Sequence, residues 1–146
     1  MTSLSPADAE QLRLAFQRCR DMDGTLNEQL RAYADASRAV FPAYGEAVDR
    51  LVARLGGNGG GETAPRPGDA MPPFMLPDEG GHLVTLPALL ERGPLAVMFF
   101  RGHWCPYCRL NVRAVVQAFD RIEAMGAQIV AVVPETLEFT RQLKAE

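Results

Sequence analysis

The residues best suited to chemistry lie together in Arg101-Gly102-His103-Trp104-Cys105-Pro106-Tyr107-Cys108. Residues three apart on a helix share a face, with Cβ atoms about 5–6 Å apart. A small adjustment then brings Cys105 and Cys108 to disulfide geometry. Cys105 falls at a predicted N-cap with Pro106 at the first helical position, where a missing N–H costs nothing. Unpaired N–H groups and the positive end of the helix dipole favour a thiolate there. Cys105 is therefore expected to be the more exposed, nucleophilic thiol. Cys108, one turn in, is expected to be more buried and to keep its proton until it resolves a mixed disulfide. Trp104 is expected to serve as a hydrophobic lid and a docking surface for disulfide substrates. His103 either tunes the thiolate or donates a proton, or is an exposed loop histidine without a role. Arg101 and Arg109 either favour the thiolate by charge or simply solvate the surface. Tyr107 is expected to shape the motif. A metal site would use Cys105, Cys108 and His103, with or without His82. It would need a further ligand, and the chain has neither a second C-x-x-C nor an H-x₃₋₅-H.

The elements that must hold this motif follow from the pattern around it. Leu95–Phe100 is apolar at every position, as expected of a strand covered on both faces in a parallel sheet. Cys105–Met125 carries Val112, Val115, Val116, Phe119 and Ile122 along one helical face, and Gly126 supplies a left-handed cap. Gln128–Val133 is the next apolar strand. Strand, helix, strand predicts a βαβ unit with parallel strands and a right-handed crossover. Ahead of it, Phe74–Leu76 and His82–Leu86 predict a hairpin around a turn at Asp78–Gly81, with Pro77 near the turn. Pro87–Arg92 is a brief helical turn closed by Gly93, and Thr136–Glu146 begins another helix.

The first part of the chain differs. Ser5, Pro6 and Asp8 start a helix whose apolar stripe is Leu12, Ala15, Phe16 and Cys19. Cys19 is expected to be buried filler, with a resolving role toward Cys105 as the alternative. After a turn at Asp21–Gly24, Thr25 and Glu28 have capping-box spacing for a second helix, which Pro42 should kink or end. Tyr44–Leu55 forms a third. Residues 56–69 hold six glycines and two prolines and predict a linker. The expected domains are thus a helical extension over 1–55, a linker over 56–69 and an α/β domain over 70–146.

Composition narrows the function. The chain of 146 residues is 47% hydrophobic with a net charge of −3, which removes the electrostatic case for nucleic acid. The longest apolar run, Pro94–Phe100, is too short to span a membrane. No secretory signal pattern opens the chain, so a cytoplasmic protein is expected.

The stretch Trp104-Cys105-Pro106-Tyr107-Cys108, following a Phe99-Phe100 strand end, resembles the active site of the thioredoxin superfamily. Together with Pro72-Pro73-Phe74-Met75-Leu76-Pro77-Asp78 and Gly93-Pro94-Leu95, it looks like the peroxiredoxin-like branch of the alkyl hydroperoxide reductase/thiol-specific antioxidant family. The resemblance covers roughly residues 67–146. It implies a thioredoxin-like fold and a thiol-dependent antioxidant enzyme that needs no cofactor. It also implies a hydroperoxide or protein disulfide as substrate and a thioredoxin- or glutathione-type electron donor. Two departures stand out. Typical peroxiredoxins place Thr or Ser three residues before the peroxidatic cysteine, where this chain has Gly102. The family's arginine and cis-proline loop come from a later part of the fold than this chain is expected to reach, and Pro134, in the strand-to-helix loop, is not read as that cis-proline. The expectation is a domain incomplete at its C-terminus, with a homodimer formed through the helical extension or the sheet edge. A disulfide reductase without peroxidase activity, a non-catalytic oligomerisation module and a metal-binding protein remain alternatives.

Overall fold

A computed structural model describes residues 4–145. The chain falls into two compact units, Met1–Ala70 and Met71–Glu146.

The first unit is helical, and its boundaries are set by capping. Helix α1 (Pro6–Asp21) starts at Ser5, whose Oγ accepts from the Asp8 N–H at 3.1 Å while Asp8 accepts from the Ser5 N–H at 3.2 Å. Helix α2 (Leu26–Val40) opens with the same reciprocal box between Thr25 and Glu28. Each box satisfies N–H groups that have no partner inside the helix. Pro42 does not kink α2. The helix ends at Val40, and Phe41 serves both as its C-cap and as the N-cap of α3 (Pro42–Gly57), with Pro42 at the first position of the new helix. The core of this unit is Ala15, Phe16, Cys19 and Tyr33, with the Phe16 and Tyr33 rings edge to face at 6.0 Å. Ser37 is buried there too, and its hydroxyl is satisfied by the Ala34 carbonyl at 2.9 Å. Arg38 on α2 holds Asp49 on α3 through two bonds of 2.7 and 2.8 Å.

The second unit begins with an antiparallel hairpin of β1 (Met75–Pro77) and β2 (Leu83–Thr85), in which Leu76 faces Val84. Asp78 builds its turn, accepting from the Gly80 and His82 N–H groups at 2.8 and 2.9 Å. A short helix α4 (Leu86–Leu90) leads to β3 (Leu95–Phe99), then α5 (Pro106–Ala124), β4 (Gln128–Val132) and α6 (Leu137–Lys144). The predicted end of the last helix at Glu146 lies outside the described residues. Strands β3 and β4 pair in parallel from Leu95↔Gln128 to Phe99↔Val132, so the βαβ unit forms. Gly126 ends the α5 turn at φ +69°. Arg141 Nε donates to the Glu79 carbonyl at 2.7 Å and Lys144 pairs with the Glu79 carboxylate, joining α6 to the hairpin.

The expectation that β3 is covered on both faces is overturned. Ala96 and Phe99 are exposed, Phe99 to 69%, and the remaining positions are only half-buried. Full burial of a parallel strand requires cover on both faces of the sheet. Among the described residues this sheet has two strands. An apolar cavity of about 580 Å³, lined in part by Leu76, Val84, Val116, Val130 and Leu143, runs beside β4. Among the described residues no helix is long and apolar enough to cross a membrane.

Candidate active site

Because β3 and β4 run parallel, the loops leaving their C-terminal ends emerge side by side. The Phe100 N–H donating to Val132 O at 2.9 Å carries the pairing to the end of the strands. From that edge residues 101–105 turn into α5, with the Cys105 N–H closing onto the Gly102 carbonyl at 3.1 Å.

Cys105 is the N-cap of α5, in extended conformation (φ −89°, ψ 110°), and Pro106 occupies the first turn. The Cys105 Sγ accepts from the Cys108 N–H at 3.3 Å, as a capping hydroxyl would. It also accepts from Arg101 Nη2 at 3.1 Å. The Cys108 Sγ accepts from the Arg101 backbone N–H at 3.3 Å. Both cysteines are thiols. The Arg101 guanidinium lies 5.5 Å from the centre of the Trp104 ring, a cation–π contact. Trp104 itself is 59% exposed. Arg109 and Tyr107 are half-buried in the first turn of α5.

Two expectations about Cys105 are corrected. It is not the more exposed thiol: Cys105 has no accessible surface, against 6% for Cys108. The sulfur turns in to accept from the Cys108 N–H and from Arg101 Nη2 instead of pointing to solvent. Nor is its acidity enhanced. Burial pushes the Cys105 thiol above the usual range, helped by the neighbouring Cys108 thiol, while the Cys108 N–H and the Arg101 guanidinium pull it partly back. Cys19, in the core of the first unit, is also pushed up by burial.

Sequence reasoning missed one residue, Glu135. Its carboxylate accepts from the His103 N–H at 2.8 Å and lies 2.6 Å from His103 Nδ1. The imidazole stacks on Phe139 of α6, with ring centres 4.4 Å apart and planes within 3°. Gly102 stands at φ +137°, and a Cβ there would lie 2.6 Å from Glu135 Oε1 and 2.7 Å from Trp104 Nε1. It is the backbone conformation, at a φ that side chains rarely adopt, that requires glycine at position 102. Glu135 follows β4 as His103 follows β3, so the predicted parallel pairing was the available signal. His82 remains in the hairpin turn beside Asp78. Among the described residues no three His, Cys, Asp or Glu side chains gather as metal ligands. Pro134 is not preceded by a cis bond.

A cysteine pair across the first turn of a helix, at the end of a parallel strand pair, is consistent with a thioredoxin-like α/β fold. The model of the AhpC/TSA family matches residues 67–146, and the chain belongs to that family. No curated protein and no solved structure matches it. Membership brings with it the thiol-dependent redox chemistry of an oxidoreductase.

Proposed function

We propose that the protein is a peroxiredoxin-like antioxidant enzyme that reduces hydroperoxides through Cys105 and Cys108. The observation that carries this reading is the cap geometry: Cys105 Sγ at the tip of α5, held by the Cys108 N–H and Arg101. The Cys105 thiolate attacks one peroxide oxygen, so that an S–O bond forms as the O–O bond breaks. The departing alkoxide takes up a proton and leaves as an alcohol, with a sulfenic acid left on Cys105. Cys108 then attacks that sulfur. An S–S bond forms and hydroxide leaves as water with the Cys108 proton. Two electrons have passed from the thiols to the peroxide, and a thioredoxin-type dithiol, or two glutathione thiols in turn, returns them and is itself oxidised to a disulfide.

Burial of Cys105 bears on the choice of substrate. A small hydroperoxide needs less of the site to open around the buried sulfur than a protein disulfide, which must bring its own bulk to it. Gly102 favours the second reading, a disulfide reductase, because the position has no hydroxyl to orient a peroxide. Mass spectrometry of free thiols before and after one equivalent of hydroperoxide tests the choice. The wild type should lose two thiols to a Cys105–Cys108 disulfide, and Cys108→Ser should stop at a sulfenic acid on Cys105. Unchanged thiols would remove the peroxidase. The exposed apolar face of α3 supports a homodimer through the helical extension.

A further inference from the structure

Three features of the Cys105 loop converge on one carboxylate from the other strand's loop. Gly102, at φ +137°, lies against Glu135, and a Cβ there would come within 2.6 Å of Oε1. The His103 backbone N–H donates to Glu135 Oε2 at 2.8 Å, and the His103 ring presents Nδ1 to Oε1 at 2.6 Å. The Glu135 side chain is only 7% exposed, so this carboxylate is a built part of the loop rather than a solvated surface group.

An ionised carboxylate can only accept hydrogen bonds. Opposite an ionised Glu135, Nδ1 at 2.6 Å from Oε1 is the donor of this contact, whether the imidazole is neutral or cationic. That leaves Nε2 as the nitrogen that gains and loses a proton. Phe139, stacked at 4.4 Å on one face of the ring, fixes the direction in which Nε2 points.

We propose that Glu135 is a positioning residue for the cysteine pair: it locks residues 102–103 and holds His103 with its proton on Nδ1, so that Nε2 is the proton-exchanging atom of the loop two residues before Cys105. This deepens the thiol redox function proposed above and rests on it. In that chemistry a proton must leave Cys105 and another must reach the departing group. Burial opposes the first step by favouring the neutral thiol, so a base of defined tautomer in the same loop has work to do.

The test uses the full chain and separates the tautomer from the clamp. Glu135→Gln keeps a carbonyl oxygen for the His103 N–H. It sets an amide NH₂ donor against Nδ1, which can be met only by a lone pair there, and so drives the proton to Nε2. Long-range ¹H–¹⁵N correlation spectra of the histidine ring should show the Nδ1–H tautomer in the wild type and the Nε2–H tautomer in Glu135→Gln. Peroxide-driven Cys105–Cys108 disulfide formation should slow roughly tenfold or more, with the melting temperature close to wild type. Glu135→Ala should slow it at least as much. If Glu135→Ala does not fold, Glu135→Gln alone decides. A wild-type His103 protonated on Nε2 alone, or an unchanged rate in Glu135→Gln, would overturn the proposal. A wild type that forms no disulfide would instead overturn the redox function, and the ring spectra would still test Glu135.

Discussion

Cys105 shows two opposing effects at one atom. A charge-assisted hydrogen bond from Arg101 is worth about 1.5–3 kcal/mol, and the helix end adds about 0.3–1 kcal/mol, up to ~2 in partly buried geometries. Removing an ion wholly from water costs several kcal/mol. With Cys105 fully covered, desolvation wins and the thiol is raised. The sign for stability follows. A thiol raised in the folded state contributes stability that is complete below the ordinary thiol pKa of about 8.5 and is lost as pH rises through the folded value. Cys105 should therefore react slowly with iodoacetamide at neutral pH and faster only in alkaline solution. Arg101→Met leaves an apolar side chain beside the sulfur and removes its positive partner. It should displace the pH profile of alkylation further upward, as read by peptide mapping of modified Cys105. A downward displacement would mean that Arg101 does not favour the thiolate.

At the scale of elements, the site depends on how β3 is seated before it reaches the loop. Gly93 lies at φ +130°, and any Cβ there would fall against the Gly126 carbonyl oxygen. That close approach lets the Gln128 N–H reach the Pro94 carbonyl at 2.7 Å and the Gln128 side chain reach the Leu89 carbonyl at 2.7 Å, which sets the register of β4 on β3. Gly126 is also left-handed, at φ +69°, but a Cβ there meets nothing. The two glycines therefore separate strain from collision. Gly126→Ala should cost only the left-handed penalty, about 1–2 kcal/mol. Gly93→Ala should cost more, because backbone must also move. Urea unfolding midpoints compare them, and a smaller loss for Gly93→Ala would refute the collision. These turns were legible in sequence, as were the Ser5 cap and the Thr25 box, because capping is decided within a few residues. The α2–α3 boundary was only partly so. Pro42 announced a break, and it was the geometry of Phe41 that let a new helix begin at once.

At the scale of the whole molecule, the helical unit leaves apolar surface uncovered. On α3, Tyr44, Leu51, Val52 and Leu55 are exposed, Val52 to 62% and Leu55 to 51%. A contiguous apolar stripe of this kind calls for a partner. Light scattering should report a homodimer, and Val52→Asp with Leu55→Asp should convert it to monomer. A monomeric wild type would refute the dimer. What could be known from the sequence was local in origin. The βαβ order, the cap at Cys105, the cysteine spacing and the family resemblance each rest on short-range pattern. The full burial of Cys105, its weakened acidity, the opening of β3 to solvent and the arrival of Glu135 at His103 were decided by tertiary structure. Exposure and electrostatics depend on which groups, 32 residues apart in the case of His103 and Glu135, folding brings together, and pattern along the chain carries no measure of that distance.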